Sequence, residues 1–148
     1  MIELLNHRNK DIAALIYKVF QESYVVEAQL LKAKEFPPLK RQVADFIKDD
    51  TDFYGYWKHQ ELVAVTEIRK FDGSTHLQSM VVVPQYFRQG IAQKLIDHVL
   101  ETYHTPIHTV ETGVDNIPAI KLYEKNGFKY IKEWDTNFGI RKVRFERK

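Results

Sequence analysis

At Phe53 the spacing of apolar residues changes, and that change limits the chain to folds that lay helices on a sheet. Before it, Ile2 to Leu5 reads as a short strand. Ile12, Leu15, Ile16, Val19 and Phe20 then recur at the i, i+3, i+4, i+7, i+8 spacing of an amphipathic helix. Val26, Leu30 and Leu31 mark a second helical stretch, which the Pro37-Pro38 pair must stop. Leu39, Val43, Phe46 and Ile47 resume the helical pattern. From Phe53 the period is two. Phe53 to Trp57 and Leu62 to Ile68 are β-rich runs joined by a few polar residues, as in a hairpin. Phe71-Asp72-Gly73-Ser74 is a turn signal leading into a third strand, Leu77 to Val83, that ends at Pro84.

The second half alternates. Ile91, Leu95, Ile96, Val99 and Leu100 predict an amphipathic helix, and Ile107 to Thr112 a strand. Asn116 to Asn126 predicts a helix with Pro118 in its first turn and Gly127 just past its end. Strands over 128–134 and 140–145 close the chain. No repeat or low-complexity linker interrupts this order, so residues 1–148 form one domain. The fold class is α/β in the mixed, α+β sense: a mostly antiparallel seven-stranded sheet flanked by about four helices.

Composition narrows the function by exclusion. With 44% apolar and 28% charged residues, the chain has the balance of a soluble globular domain. No apolar run approaches the length of a membrane span, and the N-terminus lacks the unbroken apolar block of a signal peptide, so a cytoplasmic protein without membrane contacts is expected. There is no cysteine, which rules out a disulfide scaffold, a thiolate metal site and a cysteine nucleophile together. The histidines show no ligand spacing, and no metal is expected. A net charge of +2 gives no case for nucleic acid. The basic ending IRKVRFERK reads as an edge strand with a solvated face.

The segment Val81-Val82-Val83-Pro84-Gln85-Tyr86-Phe87-Arg88-Gln89-Gly90-Ile91-Ala92 is the most informative. A buried strand stops at a proline, and a short loop then delivers a glycine to a helix start. Backbone N–H groups there lack intrahelical partners and sit at the positive end of the helix dipole. They suit an anion, the glycine admits close approach of a phosphate, and Arg88 adds a charged donor. An ordinary strand-to-helix turn fits the same residues.

A second segment, Val110-Glu111-Thr112-Gly113-Val114-Asp115-Asn116-Ile117-Pro118-Ala119-Ile120-Lys121-Leu122-Tyr123-Glu124-Lys125-Asn126-Gly127-Phe128, decides between these readings. With it, the stretch from Leu77 to Phe128 resembles the GNAT superfamily of N-acetyltransferases. V-x-P-x-Y-x-R-x-G-I-A is similar to that family's coenzyme A pyrophosphate loop, and N-x-x-A-I-x-L-Y-E-K-x-G-F to its second signature. One position departs: Phe87 stands where the family's loop usually has glutamine or arginine, which implies a weakened contact with the phosphates.

The resemblance implies two parallel strands that splay apart after a bulge, with the cofactor arm between them. It implies acetyl-coenzyme A as co-substrate, held by Met80, Val81 and Val82, by the loop Phe87, Arg88, Gln89, Gly90, Ile91 and Ala92, and by Asn116, Ala119 and Tyr123. It implies Tyr123 as the acid that protonates the leaving thiolate and Glu111 as a general base, with Glu67 or a water as the other choices. The acceptor pocket would lie along Tyr24 to Leu39. A lysine-type amine has a pKa of roughly 10.4, so near neutrality a carboxylate is needed to take its proton. A backbone N–H on the splayed strand would stabilise the oxyanion. Without cysteine, direct attack in a ternary complex is the route left. The expected partners are therefore acetyl-coenzyme A and an amine acceptor, on a monomer or homodimer. The alternative is a non-catalytic acyl-coenzyme A sensor.

Overall fold

The computed structural model describes residues 1–148. Its strands are β1 (Ile2–Leu4), β2 (Asp52–Lys58), β3 (Glu61–Phe71), β4 (Ser74–Val82), β5 (Ile107–Gly113), β6 (Lys129–Asp135) and β7 (Arg141–Arg147). Its α-helices are α1 (Lys10–Leu30), α2 (Val43–Lys48), α3 (Ile91–Thr102) and α4 (Ile117–Lys125). Short 3₁₀ turns cover Pro37–Lys40 and Pro84–Tyr86. The strands form one seven-stranded sheet in the order β1-β2-β3-β4-β5-β7-β6. Every pairing is antiparallel except β4 with β5. The mixed sheet with four helices is the architecture expected from the sequence.

Two details of the expected order change. The stretches around Ile12–Phe20 and Val26–Leu31 are one continuous helix, α1, because no breaker separates them; Asn9 caps it by accepting from the backbone N–H groups of Asp11 and Ile12. The basic C-terminal strand is not an edge. β7 inserts between β5 and β6, and its arginines pair with carboxylates on both neighbours, Arg144 with Glu111 and Arg141 with Glu133.

Alternation along the strands assigns the two faces of the sheet. Phe53, Val63, Val65 and Val81 pack with Ile16, Val19, Phe20 and Phe46 from α1 and α2. Tyr54, Ile68, Leu77, Val110, Val143 and Phe145 pack with Ile96 and Val99 of α3 and with Tyr123 and Phe128. A sheet covered on both faces explains why β3 reads as a nearly unbroken apolar run.

The one charged residue within the buried part of that run, Glu67, is fully buried. Both its oxygens accept from the Arg41 guanidinium at 2.7 Å, Thr51 Oγ1 donates at 2.8 Å and Ser79 Oγ at 3.2 Å. Arg41 also binds Asp49 and lies 4.3 Å from the centre of the Phe46 ring. Burial disfavours the guanidinium charge, but the bonds and charge of Glu67 and Asp49 outweigh it and hold the group above its usual range. This cluster pins the segment after α1 to the sheet.

Arg41→Met should therefore cost about 3–5 kcal/mol, because it strands a buried carboxylate. The double change Arg41→Met with Glu67→Met should recover much of the loss in urea denaturation. Equal losses in the single and double variants would show that the region depends on the ion pair itself.

Candidate active site

The site begins with a register error in the sheet. Glu67 pairs with Ser79 and Ile68 with Leu77, so Gln78 has no partner and bulges from β4. The parallel ladder between β4 and β5 runs from Ser74 with Ile107 to Leu77 with Val110 and ends there. β5 continues to pair with β7 as far as Gly113, and β4 continues with β3 as far as Val82. Beyond the bulge the two strands separate, and β4 is left with free backbone groups on its β5 side.

A cleft of about 520 Å³ fills the gap. Met80 and Val82 line it from β4, Thr112 from β5, and Asn116, Ala119 and Tyr123 from α4. Phe87, Arg88, Gly90, Ile91 and Ala92 close its far end. Gly90 adopts a φ of +76° as the residue before α3, and no side chain caps that helix. Its first N–H groups are thus free for an anion. A Cβ at Gly90 would meet nothing within 4 Å, so it would project into open space, and the positive φ is the reason for glycine. Val81 and Gln89 do not line the cleft. Val81 is buried in the core under α1, and the Gln89 side chain takes a hydrogen bond from Lys58 at 2.9 Å.

A second cleft, of about 470 Å³, opens on the α1 and α2 face. Phe20, Leu31, Phe36 and Phe138 supply apolar walls, and Arg41, Arg69 and Lys142 supply positive charge. The two clefts share Tyr24, Glu27, Gln78, Ser79, Glu111 and Thr112. The bulge therefore sits at their junction. Gly113 allows this closeness: a Cβ there would come within 2.6 Å of the Leu31 side chain, which would have to shift.

The model of the acetyltransferase (GNAT) family matches residues 13–128. The chain belongs to that family. Among curated relatives, UPF0157 protein YqkA of Bacillus subtilis is 30% identical over 131 residues, covering 87% of this chain and 38% of that protein. An N-alpha-acetyltransferase of Saccharolobus solfataricus is 38% identical over 61 residues, covering 38% of this chain and 36% of its own. The chain thus spans under two fifths of the length of these relatives. Of the solved structures, the ribosomal-protein-S18-alanine N-acetyltransferase of Escherichia coli superposes with a TM-score of 0.76 at 20% identity, covering 99% of this chain and 92% of that one. The PaiA N-acetyltransferase of Thermoplasma acidophilum, in complex with coenzyme A, gives 0.76 at 16% identity, covering 100% and 99%. At these identities the likeness is one of fold.

Within this GNAT domain, the residues singled out from sequence fare differently. Tyr123 is buried at the floor of the first cleft, and burial together with the Glu27 charge raises its phenol above the ordinary value. Glu111 reaches the junction, but Arg144 donates to it at 3.0 Å and Lys142 lies at 3.6 Å. Asn116 caps α4 through the Ala119 N–H and donates to Thr112 at 3.2 Å and to Glu27 at 3.1 Å. Glu67 is saturated by its own partners, as described above.

Sequence reasoning missed Glu27 and underrated Tyr24. Glu27 lies on α1, far from both motifs, and only its helical phase with Tyr24 and Leu31 hinted at an inward side chain. Burial pushes its carboxyl up to about 7, with Lys142 opposing. Tyr24 is raised too, by burial first and then by Glu27.

The Glu27 shift has a consequence for stability. Its folded-state value lies above the ordinary 4.5, so its contribution is fully present below about pH 4.5 and is lost as pH rises to about 7. Glu27→Gln does not titrate. Its melting temperature should gain on that of the wild type across this interval and run parallel outside it. A constant offset at every pH would show that the carboxyl is not perturbed.

Proposed function

We propose that the chain transfers the acetyl group of acetyl-coenzyme A to a primary amine by direct attack in a ternary complex. The observation that carries this reading is the junction of two clefts at the β4 bulge, one suited to the cofactor and one open to an acceptor. A coenzyme A complex among the fold neighbours and N-alpha-acetyltransferases among the relatives support it. A sensor that only held acyl-coenzyme A would have no use for the second cleft. A cytoplasmic location accompanies the co-substrate and belongs to the same proposal.

In this reading the pantetheine arm lies along the free edge of β4 past Met80 and Val82, as an added strand would. The pyrophosphate meets the N–H groups at Gly90, Ile91 and Ala92, with Arg88 beside them. Phe87 offers no donor, so the backbone carries most of this contact. The amine enters from the second cleft and gives up its proton at the junction. Glu111 and Glu27 both face that space. Glu111 is engaged by Arg144 and Lys142, whereas Glu27 forms no ion pair and its carboxyl is pushed up to about 7, which is matched to the task. We assign the proton to Glu27 and give Glu111, first in line from the sequence, the part of fixing Lys142 and Arg144. The Tyr123 hydroxyl makes no hydrogen bond within the chain, so the phenol is free to protonate the departing thiolate.

Three measurements test these assignments. Acetyl-coenzyme A should raise the melting temperature of the wild type. Gly90→Val, which strains the loop and fills the phosphate approach, should lose that rise; equal rises would overturn the loop assignment. Tyr123→Phe should keep cofactor affinity and lower turnover by about 10²–10⁴. Unchanged turnover under rate-limiting chemistry would return Tyr123 to a packing role. Glu27→Gln should lower turnover at neutral pH and recover at high pH, where the amine deprotonates unaided, while Glu111→Gln should show no such recovery. The reverse pattern would make Glu111 the base.

A further inference from the structure

The charges lining the second cleft do not cancel evenly. Its charged residues are Glu27, Arg41, Asp49, Glu67, Arg69, Glu111 and Lys142. Arg41 is bound to both Glu67 and Asp49, and Lys142 lies beside Glu111. That leaves one acid and one base. Glu27 forms no ion pair, and its carboxyl's one hydrogen bond comes from a neutral amide, Asn116. Arg69 is half-buried, yet its guanidinium has no carboxylate within 4.0 Å and no hydrogen-bond partner.

The two unpaired groups also differ in place. Glu27 lines the cofactor cleft as well, whereas Arg69 lines only the second cleft. Arg69 shares the inward face of β3 with Glu67, and the acids nearest along the wall are already taken. Lys70, the adjacent cation, turns to the other face and pairs with Asp52. A guanidinium presents a planar fork of donors that fits a carboxylate, and one left without a partner at a pocket wall is set to receive an anion from outside.

We infer that the acceptor is a small zwitterion, an amine and a carboxylate in one molecule, with the amine at Glu27 and the carboxylate at Arg69. The inference rests on the acetyl-transfer reading given above. The apolar walls of the same cleft, Phe20, Phe36 and Phe138, favour an apolar body. The cleft volume of about 470 Å³ accommodates a molecule the size of a free amino acid and lies in the range of small-ligand sites. The step balances without another reactant. The zwitterion's ammonium gives one proton to Glu27, which later passes it to solvent. The freed amine nitrogen then bonds to the acetyl carbon as the carbon–sulfur bond breaks, the thiolate takes the phenol proton of Tyr123, and the second proton shed by the nitrogen restores that phenol.

The test compares matched acceptors: phenylalanine and leucine against their carboxamides and against the amines that lack the carboxyl carbon. Coenzyme A release is read for wild type and Arg69→Gln. In the wild type, the free carboxylate should raise kcat/KM by about tenfold or more over the carboxamide, the size of a charge-assisted bond. Arg69→Gln should close that gap, and Arg69→Lys should keep part of it. A melting-temperature rise with acetyl-coenzyme A in each variant shows that the protein is folded and binds its co-substrate. Carboxamides and free acids used equally well by the wild type, or a gap that survives Arg69→Gln, would overturn the inference while leaving acetyl transfer standing. No release with any amine, on a protein that binds acetyl-coenzyme A, would overturn both.

Discussion

A single unpaired residue, Gln78, sets the geometry on which the rest of the molecule depends. If β4 kept register with β3 past Leu77, nothing in the hydrogen-bonding pattern would stop β5 from continuing alongside it. The sheet would then close. The bulge rotates the last residues of β4 away, so that Ser79 turns toward Glu67 while Met80 and Val82 edge a cleft. Separating two strands leaves backbone N–H and C=O groups without partners, which is costly in a buried place. Here they face an open cleft, where an extended ligand could stand in for the missing strand. In the proposed function the opening serves as a binding site because it is an unfinished sheet.

The wall opposite is held by charge. Glu67 would be intolerable in the centre of β3 without Arg41, Thr51 and Ser79 to satisfy it, and Arg41 reaches it from the segment between α1 and α2. The aromatic rings of Phe20, Phe46 and Phe53 surround the guanidinium and keep water from competing. An apolar pair would hold these elements together as well or better. The ionic version does something more, because it occupies two of the pocket's acids and so leaves Glu27 and Arg69 as the groups free to meet a ligand.

Much of this was legible before any coordinates. The change of period at Phe53 separated helices from strands, and the two motifs located the loop at Gly90 and the helix carrying Tyr123. Local signals served wherever the residues that matter are close in sequence. They failed where the fold brings distant segments together. β7 was read as an edge strand because its alternating basic residues look solvated; they are instead matched by Glu111 and Glu133 on neighbours that no local pattern reveals. Glu67 looked like a spare base and is a sealed structural acid, since its partner Arg41 lies outside every motif. Glu27 drew no attention for the opposite reason. A glutamate on a long amphipathic helix is ordinary, and only the gap between β4 and β5 makes its face an interior one.

In the acetyl transfer we propose, the proximity of Glu27 to Tyr123 would give the site a sequence of proton movements that neither group would have alone. While Glu27 is charged it holds the Tyr123 phenol above its ordinary value, and so keeps the proton in place before reaction. Burial holds Glu27 near neutrality, ready to accept a proton from an amine as attack begins. Once it has accepted, its charge is gone, and the part of the phenol's shift that came from that charge goes with it. The acid therefore strengthens at the moment a thiolate has to leave. Lys142, which opposes the rise at Glu27, is itself held by Glu111, so the carboxylate of the second motif tunes the pair from a distance. In the proposed reaction the chemistry belongs to α1 and α4 facing one another across the split sheet, and the bulge is what allows them to meet.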